Sequence, residues 1–229
     1  MNESTARDEI CRVGQSLFQR GYVHATAGNI SVRLPDADGG GFLITPTDAC
    51  LGFLDPARLA RLDGQCRHIS GDPASKTITL HRQIYAASTA TAAPAGCVIH
   101  THSTHCVALS LLAPLQTQAG PELLPALTPY FVMKVGHVPQ ITYRRPGDPL
   151  AAQAVADTIA AYAARATPIR VVMLKRLGPN VWHTSPAAAM AVLEELEETA
   201  HLWVLNRQLA QPLGEAQIEE LRQTFGAVW

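Results

Sequence analysis

The sequence predicts a single α/β domain over residues 1–229, with a mixed central β-sheet flanked by helices. Three observations predict it. Short runs of strand-like residues, beginning at Asn29 and returning at FLIT, CVIH, IRVVML and VWHT, alternate with segments of helical period. Apolar residues make up 47% of the chain and charged residues 16%, a balance that favours a well-buried core over disorder. At 229 residues the chain suits one domain better than two.

In order, Ile10, Val13, Leu17 and Phe18 recur at helical spacing after a cap expected at Ser4 or Thr5, and Gly21 ends that helix. From Asn29 the pattern switches to alternation. Ile30, Val32 and Leu34 share one face, Ser31 and Arg33 the other, and the turn-rich PDADGGG leads into FLIT as a hairpin. A helix is expected from Ser75 to Ala90, then CVIH as a buried strand, then a helix capped by Ser103 and running through Leu112. Pro114 to Arg145 reads as loops with one strand near HVPQITY. Asp148 caps an alanine-rich helix to about Arg165, IRVVML is a strand, GPN a turn, and VWHT its partner. Ser185-Pro186 opens a helix to about Leu209 with an acidic face of Glu194, Glu195, Glu197 and Glu198, and a last helix begins near Gly214.

The 18 basic and 19 acidic residues nearly cancel, and no basic run is present to follow a phosphate backbone or an anionic membrane. Nucleic acid and membrane are therefore not expected partners. Five scattered cysteines without a C-x-x-C pair do not form a disulfide framework, and the polar start MNESTARDEI lacks an apolar signal core. A cytoplasmic location is expected.

Three segments can carry chemistry. His100-Thr101-His102 has a spacing of two, which on an extended strand turns both imidazoles to one side within reach of one cation; alternatively, either ring simply bonds a neighbouring carbonyl. His105, on the following helix, is expected to be a satisfied surface or interface histidine. In HATAGNISV, Gly28 and Asn29 stand where a loop becomes a strand, so backbone N–H groups can reach an anion; an ordinary turn explains them equally well. Thr45 in ITPTD, and Ser75-Lys76-Thr77 at a helix start, add hydroxyls, an ammonium and the positive end of a helix dipole.

The segments HATAGNISV, ITPTD, DPASKTITLH, VIHTHST and a later glycine turn occur in the order and spacing seen in class II aldolases, and the chain resembles the class II aldolase/adducin family along almost its whole length. TPTDACLGFLDPARL, TPYFVMKVGHVP, YRRPGD and LEELEETA look like the branch that decarboxylates 3-oxo-tetronate 4-phosphate to dihydroxyacetone phosphate. The resemblance implies a metal-dependent carbon–carbon lyase acting on a small phosphorylated sugar acid. Gly28, Asn29, Thr45, Ser75 and Lys76 would surround the substrate phosphate. His100 and His102 would ligate a divalent metal, zinc as a rule, which holds negative charge developing on oxygen as the carbon–carbon bond breaks. Thr77 and Tyr130 would hold the catalytic positions, Tyr130 lying close to the pocket, and the resemblance implies a homotetramer with its site near a subunit interface.

Two positions depart from the family pattern. The acidic residue expected just after Ser75-Lys76 is Thr77, whose hydroxyl does not ionise at neutral pH, and the third metal histidine, expected before the Gly-Pro turn, is Leu177. His137, Glu122 or a neighbouring subunit would have to complete the metal shell. The alternatives are a catalytically degenerate phosphosugar-binding or assembly protein, and an iron-dependent oxygenase, which needs a carboxylate beside the histidines.

Overall fold

Alternation from Asn29 builds β1 (Asn29–Arg33), which pairs antiparallel with β2 (Phe42–Ile44) as the expected hairpin. The remaining strands are β3 (Ala60–Leu62), β4 (His68–Ser70), β5 (Cys97–His100), β6 (Leu115–Thr117), β7 (Gly120–Glu122), β8 (Gln140–Ile141), β9 (Val171–Leu174) and β10 (Gly178–His183). In this computed structural model, which describes residues 1–229, eight of them form one sheet in the order β4-β3-β2-β1-β5-β10-β9-β8. Only β8 and β9 pair in parallel, so the sheet is mixed, and β6 and β7 form a separate hairpin.

The chain has six α-helices: α1 (Glu3–Gln19), α2 (Ile78–Ser88), α3 (Thr104–Ser110), α4 (Pro149–Ala164), α5 (Pro186–Leu205) and α6 (Glu215–Phe225). Ile30, Ile99 and Val181 on one face pack with Ile10 of α1, Cys106 of α3 and Leu193 of α5. Val98, Trp182 and Val172 on the other face pack with Ile84 of α2 and Val155 of α4. Because both faces are covered, Ser31 is as buried as its apolar neighbours and bonds the His81 ring and the Tyr85 hydroxyl.

Several local expectations need correction. The first helix is capped by Asn2, whose side chain accepts from the Thr5 amide, rather than by Ser4 or Thr5. Ser103 precedes α3 but gives no side-chain cap; Glu197 does so from α5, accepting from the amides of His105 and Cys106. Glu197 therefore leaves the expected acidic face and lies 4% exposed. Gly178-Pro179-Asn180 is not a turn but the start of β10, and the turn falls on Lys175–Leu177. A Cβ on Gly178 would sit 1.9 Å from the Thr101 carbonyl, so this strand can approach the His100–His102 segment only with glycine there. Phe131–Val135, read as loop, forms a π-helical turn. All five cysteines are unpaired, and no helix is long and apolar enough to cross a membrane.

Candidate active site

Strand register assembles the site. Asn29 of β1 and Asn180 of β10 both stand opposite His100 at the end of β5, so all three side chains rise on the sheet face covered by α2 and α4. The chain then leaves the strand, and His102 lies beyond it with its ring 5.0 Å from that of His100, edge to face. His100 is oriented by its backbone neighbour: Nδ1 lies 3.0 Å from the Pro179 carbonyl, which accepts a hydrogen bond from it. That fixes the tautomer and leaves the Nε2 lone pair free. One ring nitrogen of His100 thus bonds a neighbouring carbonyl, and the other remains available.

Electrostatics keep these rings neutral. Burial, then the neighbouring His102, push the His100 imidazole down to about 4, against the opposing pull of the Pro179 carbonyl. Burial and then His24 lower His102 as well. Neutral imidazoles are the form that binds a cation. Buried polar atoms without partners collect beside them, namely Asn29 Oδ1, both amide atoms of Asn180 and His81 Nε2. Such atoms are costly unless a ligand, ion or water meets them. The donor set fits a divalent cation as a two-imidazole half-site. No three His, Cys, Asp or Glu side chains converge on one point.

Of the residues expected around a phosphate, Asn29, Thr45 and Ser75 join with Thr77 in one hydrogen-bonded group next to this half-site. Asn29 Nδ2 donates to Thr77 Oγ1 at 3.2 Å, Ser75 Oγ donates to the same atom at 3.3 Å, and the Ser75 amide donates to the Thr45 carbonyl at 3.2 Å. Thr45 Oγ1 in turn accepts from the Ile30 amide. Gly28 adopts φ +87°, and a Cβ there would meet the His100 carbonyl at 2.9 Å and Val23 at 2.8 Å. Only glycine allows the loop to lie against the histidine strand. Thr77 is the N-cap residue of α2, so the positive end of that helix faces the group, while Lys76 is exposed beside it.

Other expectations are placed elsewhere. Glu122 and His137 pair with each other at 2.8 Å, with Tyr162 donating to the same Glu122 oxygen, so neither completes the metal shell in this chain. Tyr130 is 59% exposed with the Lys134 ammonium near its ring, and no hydrogen bond or ring contact links it to His100 or His102. Leu177 is half-buried and packs on the apolar layer under α2 and α4. His105 is satisfied by Glu197, as expected. A cleft of about 320 Å³ opens beside that pair, lined also by Arg20, Tyr22, Glu198 and His201. Neither His100 nor His102 lines it.

Residues 8–204 match the model of the class II aldolase and adducin N-terminal domain. The chain belongs to this family. Among class II aldolase relatives, it is 50% identical over 232 residues to a 3-oxo-tetronate 4-phosphate decarboxylase of Cupriavidus necator, covering 99% of both chains. It is 39% identical to the Escherichia coli K12 protein of the same name, covering 96% of both. The solved structure of YgbL from Escherichia coli superposes with a TM-score of 0.82 at 38% identity, covering 96% of this chain and 99% of the other.

Sequence reading missed three residues that stand beside the histidine pair. Asn180 was hidden by reading GPN as a turn. His81 lies one helical turn after Thr77 and so shares its face, a spacing visible in SKTITLH. His24 lies inside HATAGNISV, where nothing in the spacing sets it apart from an exposed loop residue.

Proposed function

We propose that this protein is a metal-dependent carbon–carbon lyase that decarboxylates 3-oxo-tetronate 4-phosphate. One observation carries the reading: the register that sets Asn29 opposite His100 joins the group proposed to bind the phosphate to the imidazole pair proposed to hold the metal. A substrate with a phosphate at one end and a 3-oxo acid at the other needs both. Full-length identity of 50% to a protein bearing that name supports the choice of substrate.

The chemistry also accounts for Thr77. An aldolase run towards condensation must first remove a proton from carbon, and a carboxylate does that work. A 3-oxo acid needs no such step. Its C1–C2 bond breaks, carbon dioxide leaves, and the electron pair passes into C2–C3 and onto the C3 oxygen. One proton at C2 then gives dihydroxyacetone phosphate. His100 and His102 would hold a divalent cation, which would supply positive charge where that oxygen becomes negative. Gly28, Asn29, Thr45, Ser75 and Lys76 bind the phosphate at the start of α2, and Thr77 positions Asn29 and Ser75 rather than exchanging a proton. By this reading Tyr130 serves the pocket of a neighbouring subunit in a homotetramer. Zinc is the metal proposed, and the cytoplasm the compartment.

A binding-only protein is the second reading, motivated by Leu177. The two are separated by carbon-13 NMR of substrate labelled at C1 and C2, in deuterated buffer, with zinc, manganese, cobalt or iron(II) supplied. The lyase reading predicts loss of the carboxyl signal well above its spontaneous rate, with one deuteron at the new hydroxymethyl carbon. Decay at the buffer rate with every metal overturns it in favour of binding alone.

A further inference from the structure

We propose that His24 is the third imidazole of the metal site, taking the place of the ligand that Leu177 cannot supply. The inference rests on the metal-dependent reading above and is tested separately from it.

His24 is exposed on the loop before β1, and its ring stands 6.2 Å from that of His102, edge to face at 72°. His102 in turn stands 5.0 Å from His100. Imidazoles on one tetrahedral cation, with metal–nitrogen distances of about 2.0–2.1 Å, hold their ring centroids roughly 5 Å apart. The His100–His102 pair already has that spacing. His24 stands about 1 Å too far from His102, a gap that side-chain rotation of an exposed ring closes. Neither His24 nor His102 makes a side-chain hydrogen bond, so no existing partner opposes the movement, whereas His105 and His137 are each held by a buried glutamate.

The backbone brings His24 to this position and keeps it there. Its carbonyl accepts from the Ala27 amide at 2.9 Å, closing a turn in which Ala25 takes φ +47°. A non-glycine residue in that region costs on the order of 1 kcal/mol or more and persists where the surroundings impose it. Four residues on, Gly28 presses the loop against the His100 carbonyl. The loop that serves the phosphate therefore also presents an imidazole to the half-site. Three protein ligands leave the fourth position open for substrate, as catalytic zinc requires.

The test uses full-length protein stripped of metal and titrated with cobalt(II), read by its visible absorption, and with zinc in competition with a chromophoric chelator. His24→Ala is expected to lower zinc affinity at least about tenfold and to change the cobalt spectrum, with His68→Ala as a surface control that does neither. His24→Cys should restore affinity and add a thiolate-to-cobalt absorption band. Unchanged affinity and spectrum in His24→Ala, with binding abolished in His100→Ala, would overturn the assignment and leave the two-histidine site standing. A wild-type protein that binds neither metal overturns both.

Discussion

Asn29 and His100 face each other across the β1–β5 ladder, so a single rung fixes the distance between the Gly28-Asn29 loop and the histidine pair. Because Asn29 Nδ2 also donates to Thr77, the start of α2 is tied to the same rung. Asn29→Ala should therefore act on substrate binding more than on the chemical step. Hydrogen bonds to charged groups contribute about 1.5–3 kcal/mol, which predicts a KM raised by about tenfold or more with kcat little changed. Steady-state kinetics check this; an equal fall in kcat at constant KM would contradict it.

Thr77→Val removes the hydroxyl that accepts from Asn29 and Ser75 while keeping the side chain's shape. If Thr77 only positions its neighbours, kcat falls less than about tenfold, whereas loss of a general acid or base costs about 10²–10⁴-fold. The single-turnover rate decides between them.

Gly28→Ala places a methyl group against both Val23 and the His100 carbonyl in a backbone of positive φ. The expected cost is about 1–3 kcal/mol of stability, read as a lowered urea midpoint, together with weaker phosphate inhibition. An unchanged midpoint would mean that the loop is not pressed against β5.

His81 gives the metal-free protein a predicted pH dependence. Burial, then the neighbouring His100, push it down to about 3, and its only polar contact is with Ser31. An unfolded histidine titrates near about 6.5, so below that pH the unfolded chain takes up a proton that the folded one refuses. Stability is thus full above about 6.5 and falls as the pH drops towards about 3, by about 2 kcal/mol at pH 5 for this residue alone. Urea midpoints at pH 7 and pH 5 should differ less in His81→Gln than in the wild type; identical differences would assign the acid sensitivity elsewhere.

The sheet and its helices were legible because local signals agreed with the packing. Alternation from Asn29, the Asp148 cap and Ser185-Pro186 all mark elements that the structure contains. Where tertiary contacts supply the cap or fix the strand, the sequence is silent. Glu197 looks like one more surface acid, yet it is buried because the α3 amides need an acceptor. Gly178-Pro179 looks like a turn, yet the approach of β10 to Thr101 demands that glycine. The site followed the same division. Residues joined by spacing, such as His100 with His102 and Ser75 with Thr77, were readable along the chain. Asn180 and His24 meet the histidines only through the fold, across intervals that carry no period.

The central claim is tested most directly by the initial rate of carbon dioxide release from 3-oxo-tetronate 4-phosphate with metal supplied, comparing the wild type with the double variant His100→Ala, His102→Ala. The account predicts equal yields of carbon dioxide and dihydroxyacetone phosphate from the wild type, orders of magnitude above spontaneous decay, and only the spontaneous rate from a folded double variant. Equal rates from the two proteins would contradict it.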